Sequence, residues 1–227
     1  MTDPQEKEEP MIRIVKNGPY IVSGGIPLSM QTKVCDTRGE PVGWQEGEQY
    51  PVEDTYSLCR CGRSHDLPFC DETHVKIHFD GTETASRVPY LERAEWLDGP
   101  DLQLTDAPGF CSHARFCVRG KGIWDLTGES DRSTAKKTVI KMAAHCPSGR
   151  LIVWDKKIDK PIEPVFERSI GLVEGPGEGR IGPLWVRGGI PVISSDGFVY
   201  EIRNRMTLCR CGKSRNKPFC DGSHQEE

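Results

Sequence analysis

Cys59, Cys61, Cys70 and His74 follow a C-x-C-x8-C-x3-H spacing, and Cys209, Cys211, Cys220 and His224 repeat it. The segments CRCGRSHDLPFCDETH (59–74) and CRCGKSRNKPFCDGSH (209–224) align without a gap. Three thiolates and one imidazole form a complete four-ligand set for a soft metal centre, either a 2Fe-2S cluster with two ligands per iron or a tetrahedral zinc ion. Structural zinc sites usually separate paired cysteines by two to four residues; a single intervening residue favours the cluster. Cys59/Cys61 and Cys209/Cys211 would then clasp one iron, leaving Cys70 with His74, and Cys220 with His224, for the other. The later Cys and His are i and i+4, on one face of a helical turn beginning at Asp71 or Asp221, where Asp is a favoured N-cap.

A second set of cysteines lies between the copies. Cys111 and Cys117 form C-x5-C, and Cys146-Pro147 follows. Ferredoxin loops read C-x2-C-x2-C with a remote Cys-Pro, so the segment resembles a divergent single-cluster ferredoxin domain in which Ala114 occupies the central cysteine's place. Cys111, Cys117 and Cys146 suit a 3Fe-4S cluster, or a 4Fe-4S cluster whose last iron takes a non-cysteine ligand such as His113. The competing reading is a ferredoxin-derived scaffold with three reduced thiols and no metal.

Positioning these loops is a duplicated framework. GPYIVSGGIP (18–27) matches GPLWVRGGIP (182–191), so each half runs strand, Gly-Gly-Ile-Pro turn, ligand loop. The first copy carries 14 more residues between GGIP and CxC, the difference between offsets of 164 and 150, and they include Cys35. Alternation predicts strands at Tyr20–Ser23, Tyr56–Leu58, Trp185–Arg187 and Tyr200–Leu208. STAKKTVIKMAAH (133–145) has helical character, and the Gly- and Pro-rich run 171–183 reads as a linker or long turn. Cys35 is expected to be a buried small hydrophobe. His65, His78 and His145 are read as surface groups or groups behind the ligands, and the tryptophans (Trp44, Trp96, Trp124, Trp154, Trp185) as core.

Both ligand loops resemble the CDGSH iron-sulfur motif of the NEET family. Cys220-Asp221-Gly222-Ser223-His224 is the literal motif; Cys70-Asp71-Glu72-Thr73-His74 departs from it at Glu72, where a positive φ would strain a residue other than glycine. Pro68 and Pro218, Ser64 and Ser214, and the run Phe79–Ala85 also fit the family. The resemblance implies a β-rich fold in which two units pair about a two-fold axis, each with a redox-active 2Fe-2S cluster near the surface. Here both units share one chain. The expectation is therefore an α+β, β-rich protein: a CDGSH-type unit (1–85), a small ferredoxin-like insert (86–164) and a second CDGSH-type unit (165–227). The outer units would form an intramolecular pseudo-two-fold β-cap in a monomer. Arg60, Arg63, Arg210 and Lys213 lie within the loops and either offset cluster charge or are solvated surface groups. An imidazole in place of a thiolate removes one negative charge and should ease reduction. It must also be unprotonated, so acid should labilise the clusters.

Composition narrows the remaining classes. A net charge of −4 with interspersed signs gives no footprint for nucleic acid or an anionic membrane. No run reaches the ~18 apolar residues of a spanning helix. The acidic opening MTDPQEKEEP lacks an apolar export core, and ten cysteines then point to metal ligation in the reducing cytoplasm rather than to disulfides. Without a GxGxxG after a strand, a P-loop or a nucleophile elbow, a carrier of electrons or clusters is expected rather than an enzyme, its partner a redox protein or an apo cluster acceptor. The alternative is a structural zinc scaffold using the same Cys3His sites.

Overall fold

The structure, a computed structural model, describes residues 8–174 and 181–225. The first half begins with β1 (Met11–Ile14), β2 (Tyr20–Ser23), β3 (Leu28–Cys35), β4 (Pro41–Tyr50) and β5 (Tyr56–Leu58), and after its ligand loop with α1 (Thr73–Lys76). The middle segment holds α2 (Tyr90–Arg93), β6 (Glu95–Asp98), β7 (Leu102–Asp106), α3 (Ile123–Gly128), α4 (Ser133–Ala144), β8 (Leu151–Asp155) and β9 (Lys160–Ile162). The second half adds β10 (Ser169–Glu174), β11 (Ile181–Arg187), β12 (Val192–Ile193) and β13 (Arg205–Leu208).

The halves exchange strands. One sheet has the order β12-β1-β2-β5 and another β13-β11-β10-β3-β4. In each, the strand that follows GGIP leaves its own half and pairs in parallel with the first strand of the other: β12 on β1 (Ile12 opposite Val192) and β3 on β10 (Ile170 opposite Leu28). A Gly-Gly turn makes the departure possible, since Gly24, Gly25, Gly188 and Gly189 all have positive φ. Tyr20, Val22 and Ile26 from one half and Leu184, Val186 and Ile190 from the other then fill one core.

The extra residues of the first half build a hairpin. Asp36 accepts the N–H groups of Arg38 and Glu40 at its tip, and β4 becomes the outer strand of the second sheet. Trp44 on β4 stands between Phe116 of the middle segment and Trp185 of β11, with ring centroids 5.1 Å apart in both pairs, and donates to the His145 carbonyl at 3.0 Å. The middle segment is an antiparallel β6-β7-β8-β9 sheet carrying α3 and α4. Ala135, Val139, Met142 and Ala143 recur on one face of α4, and Val139, Met142 and Ala143 pack with Leu102, Leu104, Leu151 and Val153.

Several expectations change. Of the run 171–183, read as a linker or long turn, residues 171–174 end β10 and 181–183 begin β11, two antiparallel partners, and 175–180 lie outside the described residues. Gly171 and Gly182 are there for close approach, since a Cβ would stand 2.5 Å from Gln31 Cγ and 2.3 Å from the Val173 carbonyl. The strand expected over Tyr200–Leu208 is confined to Arg205–Leu208, because the preceding residues bond outward: Glu201 accepts the Tyr90 N–H and Asn204 donates to the Pro164 carbonyl. Cys35 is only partly buried, at the end of β3 where the ladder loses register. Trp185 is core, but Trp96 is 51% exposed on β6, its ring tilted against that of Trp154.

Candidate iron-sulfur centres

The two ligand loops share one local construction. In each, the strand before CxC is bridged back to the later Phe, Leu58 to Phe69 and Leu208 to Phe219. The first cysteine's N–H reaches the carbonyl of the proline (Pro68 or Pro218), and the third cysteine's N–H reaches back to the strand (Ser57 or Thr207). Both X-Pro bonds, Leu67–Pro68 and Lys217–Pro218, are cis. Ser64 and Ser214 accept the N–H two residues on. Asp71 and Asp221 do the same for Thr73 and Ser223 at 3.0 Å, and also accept the N–H groups of His65 and Arg215. The aspartates therefore brace the loops one residue before the helical turn rather than capping it. Glu72 stands at the cap with φ 67°, and Gly222 at the same place with φ 89°.

The donors come together in pairs. Cys59 and Cys61 Sγ are 3.7 Å apart, and Cys209 and Cys211 Sγ 3.8 Å. Cys70 Sγ lies 3.4 Å from His74 Nδ1, and Cys220 Sγ 3.4 Å from His224 Nδ1. A metal–thiolate bond of about 2.3 Å at a tetrahedral angle separates two sulfurs by roughly 3.8 Å, and a sulfur from an imidazole nitrogen by roughly 3.5 Å, so each pair fits one metal ion. Among the described residues no three His, Cys, Asp or Glu side chains converge on a single ion. Each loop therefore presents its four donors as two separate pairs. With Nδ1 facing the thiol, Nε2 is the nitrogen left to carry the proton of a neutral ring.

Burial shapes the electrostatics. It pushes Cys61 up to about 11, raises Cys70, and lifts Cys220 further still. Within Cys209/Cys211, one thiol donating to the other raises the first and lowers the second. His224 is pushed down to about 4, mainly by burial and then by nearby His113 and Lys33, which keeps it in the neutral form that ligates metal.

Arg60 and Arg210, read from sequence as cluster counter-charges or surface groups, are 2% and 3% exposed. Arg60 donates to the Val15 and Gly81 carbonyls and lies over Tyr20 and Phe79; Arg210 donates to the Gly182 carbonyl. They pin the loops to the sheets, whereas Arg63 and Lys213 are exposed. The loops also meet each other: a Cβ on Gly62 would stand 2.6 Å from the Cys211 carbonyl, and one on Gly212 2.6 Å from that of Cys61.

In the middle segment Cys111, Cys117 and Cys146 line one cavity together with Ala114, His113 and Arg150. Burial raises Cys117 to about 11. Arg150 lines the same cavity: burial alone would weaken its charge, but bonds to Asp106 at 2.5 and 2.7 Å and an interaction with Cys111 hold it cationic. The His113 ring is packed against Gly222. Of the other histidines, His65 is exposed and bonded to Asp71, His78 is exposed, and His145 stacks on Phe116.

Spacing did not single out three supporting groups. Tyr20 donates to the Cys209 carbonyl at 2.8 Å, Arg150 reaches Cys111, and Arg205 donates to the Cys146 carbonyl at 2.7 Å. Their partners lie 189, 39 and 59 residues away in sequence, so no local pattern could mark them.

Residues 17–75 and 181–225 match the family model described as iron-binding zinc finger, CDGSH type, and residues 97–156 match divergent 4Fe-4S mono-cluster. No curated protein and no solved structure matches the chain. The chain thus carries two CDGSH-type iron-binding segments around a divergent 4Fe-4S-type segment, and is an iron-sulfur protein. No helix among the described residues is long and apolar enough to cross a membrane.

Proposed function

We propose that the protein is a monomeric, cytoplasmic electron or cluster carrier, not an enzyme. Two 2Fe-2S clusters sit on Cys59, Cys61, Cys70 and His74 and on Cys209, Cys211, Cys220 and His224. A third centre, 3Fe-4S or 4Fe-4S, sits on Cys111, Cys117 and Cys146. The carrying observation is the twofold recurrence of an Sγ–Sγ pair and an Sγ–Nδ1 pair at metal-bridging distances.

Units 1–85 and 165–227 are related by an approximate two-fold axis, a reading supported by the reciprocal strand exchange. Unit 86–164 is a ferredoxin-like insert. An iron-sulfur cluster bound at these loops takes up and releases single electrons. The chain contributes the rest: thiolates that neutralise iron, a neutral imidazole that leaves less negative charge than a fourth thiolate, and buried arginines that hold the loops rigid. The partner is a redox protein or an apo acceptor of a cluster.

Metal and acid-labile sulfide analysis of anaerobically handled protein tests the proposal. About two irons and two sulfides are expected for each Cys3His loop, and removed sets follow the cysteine replaced: Cys70→Ser loses one, Cys220→Ser the other. Stoichiometric zinc without sulfide would establish the scaffold instead.

A further inference from the structure

The middle segment touches the two CDGSH-type loops unequally. Its 108–118 stretch lies on the C-terminal loop through four contacts. The His113 ring packs on Gly222, where a Cβ would come within 2.7 Å of it; Gln225 donates to the His113 carbonyl at 3.2 Å; Asn216 donates to the Gly109 carbonyl at 2.8 Å; and Phe110 meets Phe219 edge-on at 5.1 Å. The same positions in the N-terminal loop are Glu72, Val75, Asp66 and Phe69. Three of the four would fail: Glu72 fills the space His113 needs, and Val75 and Asp66 cannot donate as Gln225 and Asn216 do. Phe69 instead packs edge-on with Tyr50 and Tyr56.

The contact joins the two donor sets. His113 is two residues from Cys111, and Gly222 is two residues from Cys220. Ala114 lines both the three-cysteine cavity and a neighbouring cavity of about 180 Å³ that His224 also lines.

We infer that the Cys111–Arg115 loop docks the three-cysteine site onto the C-terminal Cys3His site alone, with His113 and Gly222 as positioning residues, so that these two sites exchange electrons directly, whereas the N-terminal loop meets only the C-terminal loop, through Gly62 and Gly212, and makes no such contact with the three-cysteine site. With clusters held by both sets of cysteines, the exchange would move one electron from iron at one site to iron at the other, with no atom or proton transferred. This rests on reading both places as iron-sulfur sites, whereas the docking itself does not need metal.

Two measurements on the full chain separate those claims. The first is amide hydrogen exchange with and without metal, on His113→Ala, Gly222→Ala and the double variant. Gly222→Ala is expected to raise exchange across 109–116 at least tenfold in the parent and much less in the His113→Ala background. Backbone strain at residue 222 is common to both backgrounds and cancels. Equal effects in the two backgrounds would overturn the docking. The second is EPR of dithionite-reduced protein. Cys70→Ser, which keeps the C-terminal site, is expected to show a signal that saturates at several-fold higher microwave power than that of Cys220→Ser, and adding His113→Ala should narrow the gap. Equal saturation with iron present would overturn the redox pair, and a protein without iron would overturn the iron-sulfur reading beneath it.

Discussion

The loops at Cys59–His74 and Cys209–His224 share their backbone bonds, their aspartate braces and their donor distances, yet they live in different surroundings. The C-terminal loop is held by Tyr20 from the opposite half and covered by the middle segment. The N-terminal loop ends in α1, which leaves Val75 63% and Ile77 46% exposed. The donor arrangement thus recurs in both copies while the insert distinguishes them, an asymmetry that would serve the proposed carrier if electrons enter and leave at different places. The first-half hairpin works to the same end, because Trp44 fastens the middle segment to the sheet of the C-terminal loop.

The largest effect is expected at Arg205, whose counterpart at the matching offset is Thr55. Arg205 is 2% exposed, pairs with Glu163 at 2.6 Å and donates to the carbonyls of Ala143, Cys146 and Leu151. Arg205→Ala should cost roughly 3–5 kcal/mol, since it strips one partner from a buried pair. Thr55→Ala, on the surface, should stay within about 0.5 kcal/mol in denaturant unfolding. Equal costs would break the contrast.

Tyr20 comes next, because the matching residue, Leu184, has no hydroxyl to offer the N-terminal loop. Tyr20→Phe should cost about 1–3 kcal/mol by leaving buried carbonyls short of a donor. Its hydrogen exchange should loosen at 209–211 and not at 59–61.

Glu72→Gly should work in the opposite direction. Relieving a side chain held at φ 67° is expected to stabilise the protein by about 1 kcal/mol, seen as a raised Tm with iron content unchanged.

The last contrast is in pH. In the metal-free protein burial raises Cys61 to about 11, above the roughly 8.5 of an unfolded thiol. A thiol raised in the fold contributes stability that is complete below the unfolded pKa and is lost as pH rises through the folded one. The Tm of the metal-free protein should therefore decline between about pH 8.5 and 11. Because burial lifts Cys220 further than Cys70, alkylation should reach Cys70 at lower pH. Simultaneous labelling of the two would remove this difference between the loops.

Much of the site was legible in residue order because ligand spacing is local. C-x-C and C-x3-H place donors within one loop, so the pairs at 3.4–3.8 Å follow from the chain's own reach. Likewise β2, β5 and α4 were readable from period and turn residues, and the strain at Glu72 from its twin at Gly222. Gly171 and Gly182 misled, since glycine marks close approach as readily as a turn.

Residue order alone determined that two like sets of soft donors exist and that each set pairs within its own loop, because that depends on donor type and short spacing. Only the tertiary structure decided that β3 and β12 cross to the other half, that Arg60 and Arg210 turn inward, and that the three-cysteine loop lies on Gly222 rather than Glu72. Those outcomes depend on packing between residues far apart in the chain, where the space left by one missing side chain selects the neighbour.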